Sequence, residues 1–231
     1  QVLDVLSGPQ SRSFFAVFIL ATSVLSVLPI LAVESSFSLY KKAHMASMIV
    51  CAIGAINKSG MPAWNAEYAQ RMIRLDEVQY FLFSFVFRGS GAPILLSVFP
   101  PSVFACYSLI GAIQQIVRNP EMLPAVYIKA RNYSVQYRSD ALRIVATTEV
   151  LLMLNILLSM NPIVPKIMTM MGHFQFLKLR SATNPTTRYA ITSIDSRIQS
   201  LVGQYVPFIL PYYRYLRSMI LSYANAGTGT A

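Results

Sequence analysis

The residues able to do chemistry in this chain are few, and each stands largely alone. Glu149 is a carboxylate inside the apolar stretch Ile144 to Leu177. Among apolar residues such a charge costs a few kcal/mol unless it is paired, protonated or hydrated. Two environments would satisfy it. One is a buried contact with Arg143 or Arg88, or a polar site facing a partner helix. The other lies one or two turns from Arg143, near interfacial water. Arg88 and Asn155 are the other polar groups placed within apolar runs. No second acid lies within any span, which argues against a proton or ion relay. Asp76 and Glu77 are adjacent, so on a helix they point about 100° apart and do not converge on one atom. With Arg71 and Arg74 beside them they read as a solvated helix face. His44 and His173 are remote in sequence and sit in apolar surroundings, which suits packing or hydrogen bonding. Cys51 and Cys106 read as buried free thiols, and no Cys/His pair has metal-ligand spacing. Nothing resembles an activated nucleophile. Neither catalysis, nor a metal, nor a cofactor is expected.

The scaffold around these residues is apolar. Hydrophobic residues make up 55% of 231 positions and charged residues only 12%, about half the charged share of a soluble domain. A soluble core needs a charged shell that this composition does not supply. Hydrocarbon is therefore the expected solvent. The charges that remain are lopsided, 19 Lys+Arg against 9 Asp+Glu. The bases lie between and beyond the apolar runs, which favours anionic lipid headgroups over nucleic acid.

Hydropathy predicts an all-α, polytopic membrane protein with spanning helices, short membrane hairpins and amphipathic interfacial helices. Ser13 to Val33 carries no charge over 21 residues, long enough for a bilayer core of about 30 Å. It reads as a retained spanning helix, with Pro29 as a candidate kink. Ala43 to Ile56 is shorter and flanked by lysines, so an interfacial or re-entrant helix is expected. Val78 to Val117 contains one charge, Arg88, in 40 residues. The turn signal Arg88-Gly-Ser-Gly-Ala-Pro93 divides it into arms near 78–88 and 94–117, the second kinked at Pro100-Pro101. Ile144 to Leu177 likewise divides into arms near 144–160 and 164–177 around Asn161-Pro162. Residues 1–177 thus form a membrane domain, and residues 178–231 form an amphipathic tail ending in a small, polar segment expected to be disordered.

In that tail Ile191, Ile194, Ile198 and Leu201 fall at helix-face spacing. They are expected to enter the headgroup–acyl boundary while Arg188, Arg197, Arg214 and Arg217 meet phosphates. Each base near a membrane surface contributes about 1 kcal/mol. The competing expectation is that the stripe packs on the chain's own membrane helices.

Basic residues mark the cytoplasmic side. Three simple spans would leave 12 bases inside, whereas hairpins at 78–117 and 144–177 leave 17 inside and two outside. The hairpin arrangement is preferred. Both put the N-terminus outside and the tail in the cytoplasm. Asn57-Lys-Ser and Asn132-Tyr-Ser are glycosylation acceptor patterns, and only three simple spans would place Asn132 in the lumen.

Asp76-Glu-Val-Gln-Tyr80-Phe-Leu-Phe-Ser-Phe-Val-Phe87 and Ser97-Val-Phe-Pro100 resemble the central block of the transmembrane protein 33 (Krüppel homologue 2) family. Thr148-Glu-Val-Leu-Leu-Met153 resembles its next membrane segment. Phe174 to Arg180 with Asn184-Pro185 resembles the junction into its tail. The likeness covers about residues 76–188. The chain departs from the family pattern at Leu154-Asn155, where a proline is usual, and in a shorter stretch between Arg180 and Asn184. The resemblance implies a non-enzymatic protein of the endoplasmic reticulum membrane and nuclear envelope. It also implies links to reticulon-like and nucleoporin partners, tubular-membrane organisation, nuclear pores, and tail helices that bind curved membrane. The alternative is an accessory or scaffold subunit of a larger endoplasmic-reticulum complex, for example in lipid transfer.

Overall fold

The computed structural model describes residues 8–28, 32–60, 65–117, 124–158 and 163–225. These residues contain helices and turns and no strand. The sequence-based expectation of an all-α membrane protein holds. In chain order the helices are α1 (Pro9–Val27), α2 (Val33–Ser59), α3 (Ala66–Arg74), α4 (Asp76–Arg88), α5 (Phe99–Ile116), α6 (Ala125–Gln136), α7 (Arg138–Leu158), α8 (Ile163–Thr183), α9 (Pro185–Tyr205) and α10 (Leu210–Asn225). A 3-10 turn, Leu95–Val98, leads into α5. Among the described residues two segments, Pro9–Val27 and Leu95–Ile116, are long and apolar enough to cross a membrane.

Local chemistry explains most boundaries. Asn65 and Asn184 cap α3 and α9, their side chains accepting from Tyr68 N and Thr186 N at 2.6 and 2.9 Å. Pro9 and Pro185 occupy first-turn positions, where a missing N–H is harmless. The same holds for Pro100 and Pro101. They start α5 rather than kink it, because the preceding residues Leu95–Val98 already form the tighter turn. Gly60, at φ 77, ends α2 in a conformation that a side chain would strain.

The 43–56 segment is not a short interfacial helix. It is the centre of α2, 27 residues long, which rises about 40 Å. Lys41 and Lys42 lie exposed on its surface without breaking it, and the Lys41 ammonium sits 4.1 Å from the Phe37 ring centroid. Charge marks solvent or headgroup contact, not a helix end. The arm expected at 144–160 begins at Arg138, and the arm expected at 164–177 continues to Thr183. Pro29, Asn161-Pro162 and the final polar segment 226–231 fall outside the described residues.

Six helices close into a ring in the order α1, α2, α4, α8, α7, α5, each packed on the next. Tyr40, Phe83, Phe87, Ile94, Leu152, Ile156 and Phe176 form its main core. Ala16, Ile19, Ala46 and Ala105 form a second, where small side chains let α1, α2 and α5 approach closely. Gly172 does the same between α8 and α4, since a Cβ there would lie 2.6 Å from Val86 Cγ2. Outward faces carry bare apolar side chains, among them Phe14, Val24, Val164, Met168 and Met171. On a membrane helix these are the lipid-facing positions.

Candidate functional site

The first site residue, Glu149, is fully buried on α7. The Tyr80 hydroxyl donates to its Oε1 and accepts from Arg180 Nη2 at 3.1 Å. The Arg180 guanidinium stands 4.7 Å above the Tyr80 ring, with its Nε 3.9 Å from Glu149 Oε2. It also donates to Asp76 Oδ1. Gln79 completes the cluster, donating to Thr183 Oγ1 and to the Ile73 carbonyl, each at 3.0 Å. Three helices of the ring, α4, α7 and α8, are therefore fastened by one polar network, buried at Gln79, Tyr80, Glu149 and Arg180 and open to the surface at Asp76. Its charges are carboxylates from α4 and α7 around one guanidinium from α8.

This settles the two environments open for Glu149 in favour of the buried contact and changes its partner. Arg143 is exposed and lies 3.8 Å from Asp140. Arg88 is exposed at the end of α4. The partner is Arg180, 31 residues away in sequence, because α8 folds back along α7. Asp76 and Glu77 diverge, as adjacent helical residues must, and Asp76 is exposed as a solvated helix face requires, whereas Glu77 is half-buried. Asp76 meets Arg180, while Glu77 meets Lys58 at 2.5 Å and its Cγ lies where a Gly54 Cβ would be. Asn155 is exposed on the outer face of α7.

Sequence reasoning missed a second polar cluster at the opposite end of the bundle. The Tyr40 hydroxyl donates to the Phe87 carbonyl at 3.0 Å and lies 3.1 Å from Ser97 Oγ, which is 3.0 Å from His44 Nε2. His173 Nε2 donates to the Glu149 carbonyl at 2.8 Å. The two histidines, remote in sequence, flank one ring: His44 and His173 centroids are 6.0 and 5.3 Å from that of Phe87. The recurrence of Tyr80, Phe83 and Phe87 at helical spacing was the available signal. Both cysteines are free as expected, but Cys106 is exposed on α5 rather than buried.

The polar end of the bundle is built from the starts and ends of its helices. Arg12, Lys58, Asp76, Glu77 and Arg138 line one cavity there, and Arg180 adjoins it through Asp76. The start of α1 is thus at the same end as the exits of α2 and α8. The sequence-based expectation puts the N-terminus and the tail on opposite sides of the membrane; the described start of α1 and the start of α9 share one end of the bundle. The connections α3 and α6 join ring helices at this end, and α9 follows α8 from it.

The tail is folded against the bundle. α9 packs on α7 and α8 through Thr187 and Ala190, both buried. Ile191, Ile194 and Ile198 lie half-buried beside them, whereas Leu201 is exposed. The near half of the apolar stripe is therefore partly covered, on the same helix face as the buried Thr187 and Ala190. Arg188 is used too, donating to the Ser181 carbonyl at 3.2 Å at the end of α8. Arg217 binds Asp195 at 2.7 Å, and the Tyr213 hydroxyl donates to the same carboxylate at 2.6 Å, clasping α10 to α9. Burial alone would raise the Asp195 carboxyl, but Tyr213 and Arg217 outweigh it and hold the group below its ordinary range. Partial burial and the Asp195 charge push Tyr213 up to about 12. Arg197 and Arg214 remain exposed, near a second apolar surface of Leu201, Tyr205, Phe208, Tyr212 and Tyr215.

An all-helical ring with bare apolar faces and two segments able to span a bilayer points to a membrane protein. The chain belongs to the transmembrane protein 33/nucleoporin POM33 family, whose model matches residues 11–226. It is 24% identical to the transmembrane protein 33 homolog of Caenorhabditis elegans over 178 residues, covering 76% of this chain and 65% of that protein. It is 25% identical to tetra-spanning protein 1 of Schizosaccharomyces pombe over 256 aligned positions, covering 100% of this chain and 90% of that protein. The chain thus spans just under two thirds of the length of the worm relative. No solved structure matches it.

Proposed function

We propose that this is a non-enzymatic protein of the endoplasmic reticulum membrane and nuclear envelope that shapes or senses curvature, supporting tubular membrane or nuclear pores. The observation that carries this reading is one-sidedness. Outside the ring, α3 and α6 join ring helices at the end that holds Arg12, Lys58 and Arg138, and α9 begins there after α8. Shallow helices on one face add area to one leaflet only, and that asymmetry bends a bilayer. With this end in the cytoplasm, the basic connections and tail obey the charge rule.

The far end adds a second argument. Lys41, Lys42 and Arg88 are exposed there, level with the Tyr40–Phe87 contact. Asp76 and Arg88 are 12 residues apart on α4, a rise of about 18 Å against a hydrocarbon core of about 30 Å. Snorkelling and local thinning close that gap. A protein that prefers a thin, strained bilayer is placed where membranes curve.

Membrane contact by the tail then falls to Leu201, Tyr205, Phe208, Tyr212 and Tyr215, flanked by Arg197 and Arg214, since aromatic rings settle at headgroup level. The family name supports a pore connection, and reticulon-like or nucleoporin proteins are the proposed partners. The test is reconstitution of the full chain into anionic vesicles of graded diameter. Enrichment on the narrowest vesicles is expected, and it should be lost when Leu201, Tyr205, Tyr212 and Tyr215 are together changed to Ser. Equal density of the unaltered chain on all diameters overturns the proposal.

A further inference from the structure

The cavity at the charged end is a feature to which nothing above assigns a role. It measures about 490 Å³, within the range of about 300–1,000 Å³ that holds small-molecule ligands. Phe15, Ile19, Val50, Ile53 and Phe104 make its walls apolar, and they come from α1, α2 and α5. A space of this kind suits a hydrocarbon chain and offers little to a free polar metabolite. Its polar rim is biased in charge. Arg12, Lys58 and Arg138 face Asp76 and Glu77, but both carboxylates are already engaged. Asp76 is held by Arg180 and Glu77 by Lys58. Among the described residues Arg12 and Arg138 have no carboxylate partner. Two unneutralised guanidiniums therefore stand over an apolar hole, with Ser47, Asn57 and Ser108 as further hydrogen-bonding groups.

We infer that this cavity binds one anionic glycerophospholipid, an acyl chain between α1, α2, α4 and α5 and its phosphate met by Arg12 and Arg138. Arginine forks match phosphate oxygens, and basic pockets between membrane helices are a known way of holding acidic headgroups. The site is separate from the tail surface, so it stands or falls independently of curvature binding. Because the walls come from four helices, an occupied cavity ties α1 to the Glu149 network through Tyr80, which lines the cavity and bonds Glu149. The lipid is then a structural ligand that stabilises the ring.

The full chain, purified in detergent, delipidated and supplied with phosphatidylinositol or with phosphatidylcholine of the same acyl chains, tests this by native mass spectrometry and thermal melting. One phosphatidylinositol per chain is expected to be retained, with a higher melting temperature and apparent affinity about tenfold above phosphatidylcholine. The double variant Arg12→Gln/Arg138→Gln should lose that headgroup preference. Ser108→Phe, which fills the cavity without touching the charges, should lower retention of both lipids. Arg214→Gln, on the tail, should change neither. Equal retention of the two lipids by the unaltered chain overturns the site, and that comparison stands even if a variant fails to fold. Undiminished retention in both the arginine and the Ser108 variants overturns it as well.

Discussion

The Tyr80 hydroxyl and the Glu149 carboxylate, 69 residues apart in sequence, meet in a hydrogen bond inside the ring. The same hydroxyl accepts from Arg180, so one phenol mediates between a buried acid and a buried base. Breaking a buried pair by removing one partner costs about 3–5 kcal/mol, because the other charge is left uncompensated. Glu149→Ala is therefore expected to lower the melting temperature sharply in detergent. Glu149→Gln, which still accepts from Tyr80, should fall less. Tyr80→Phe leaves the carboxylate short of a donor and should cost about 1–3 kcal/mol. Equal melting of Glu149→Ala and the unaltered chain would contradict the network.

Gly172 is where α8 meets α4 most closely. An added Cβ would lie 2.6 Å from Val86 Cγ2, whereas Gly111 has nothing within 4 Å. Overpacking of this kind costs about 1–3 kcal/mol. Gly172→Ala should destabilise by that amount, and Val86→Ala in the same chain should recover part of it. Gly111→Ala should be neutral or slightly stabilising. Thermal melts of the four chains decide the matter.

The clasp of α10 on α9 is expected to depend on pH at both extremes. Asp195 has its carboxyl held below the ordinary value, so its contribution is present above that value and lost as pH falls through the lowered one. Tyr213 is raised from 10.0 to about 12, so its contribution is present below 10.0 and lost as pH rises toward about 12. Between these limits the tail should stay closed. A distance probe across the two helices should report opening in strong acid, while Asp195→Ala should be open at neutral pH. An unchanged distance in Asp195→Ala rules the clasp out.

Asn57 ends α2 and Asn132 lies on α6, both at the end of the bundle that holds Arg12 and Arg138. With that end cytoplasmic, neither acceptor pattern meets the glycosylation machinery. Treatment of the expressed protein with an endoglycosidase should produce no mobility shift. A shift abolished by Asn132→Gln would place this end in the lumen.

Much of the membrane fold could be read from hydropathy alone, because a span needs only length and the absence of charge. The arms near 78–88 and 94–117 correspond to α4 and to Leu95–Ile116. α2 was misjudged because Lys41 and Lys42 look like a boundary in one dimension, although on a helix they occupy only its outer surface. The importance of Glu149 was legible from the cost of a buried charge. Its partner was not, since Arg180 reaches it only after α8 has folded back, and chain distance says nothing of that. Likewise the pattern of Ile191, Ile194 and Ile198 announced an apolar face but not what would cover it. Thr187 and Ala190, small and inconspicuous in the sequence, bring that face against α7 and α8.

The most direct test of the one-sided arrangement is labelling of single cysteines with a membrane-impermeant maleimide in sealed microsomes, in a chain with Cys51 and Cys106 replaced by Ser. Gln10→Cys, Asn132→Cys and Arg197→Cys are expected to react without permeabilisation, and Arg88→Cys only after the lumen is opened. Protection of Gln10→Cys until the membrane is breached would separate the start of α1 from the tail and contradict the fold-derived placement on which the proposed function rests.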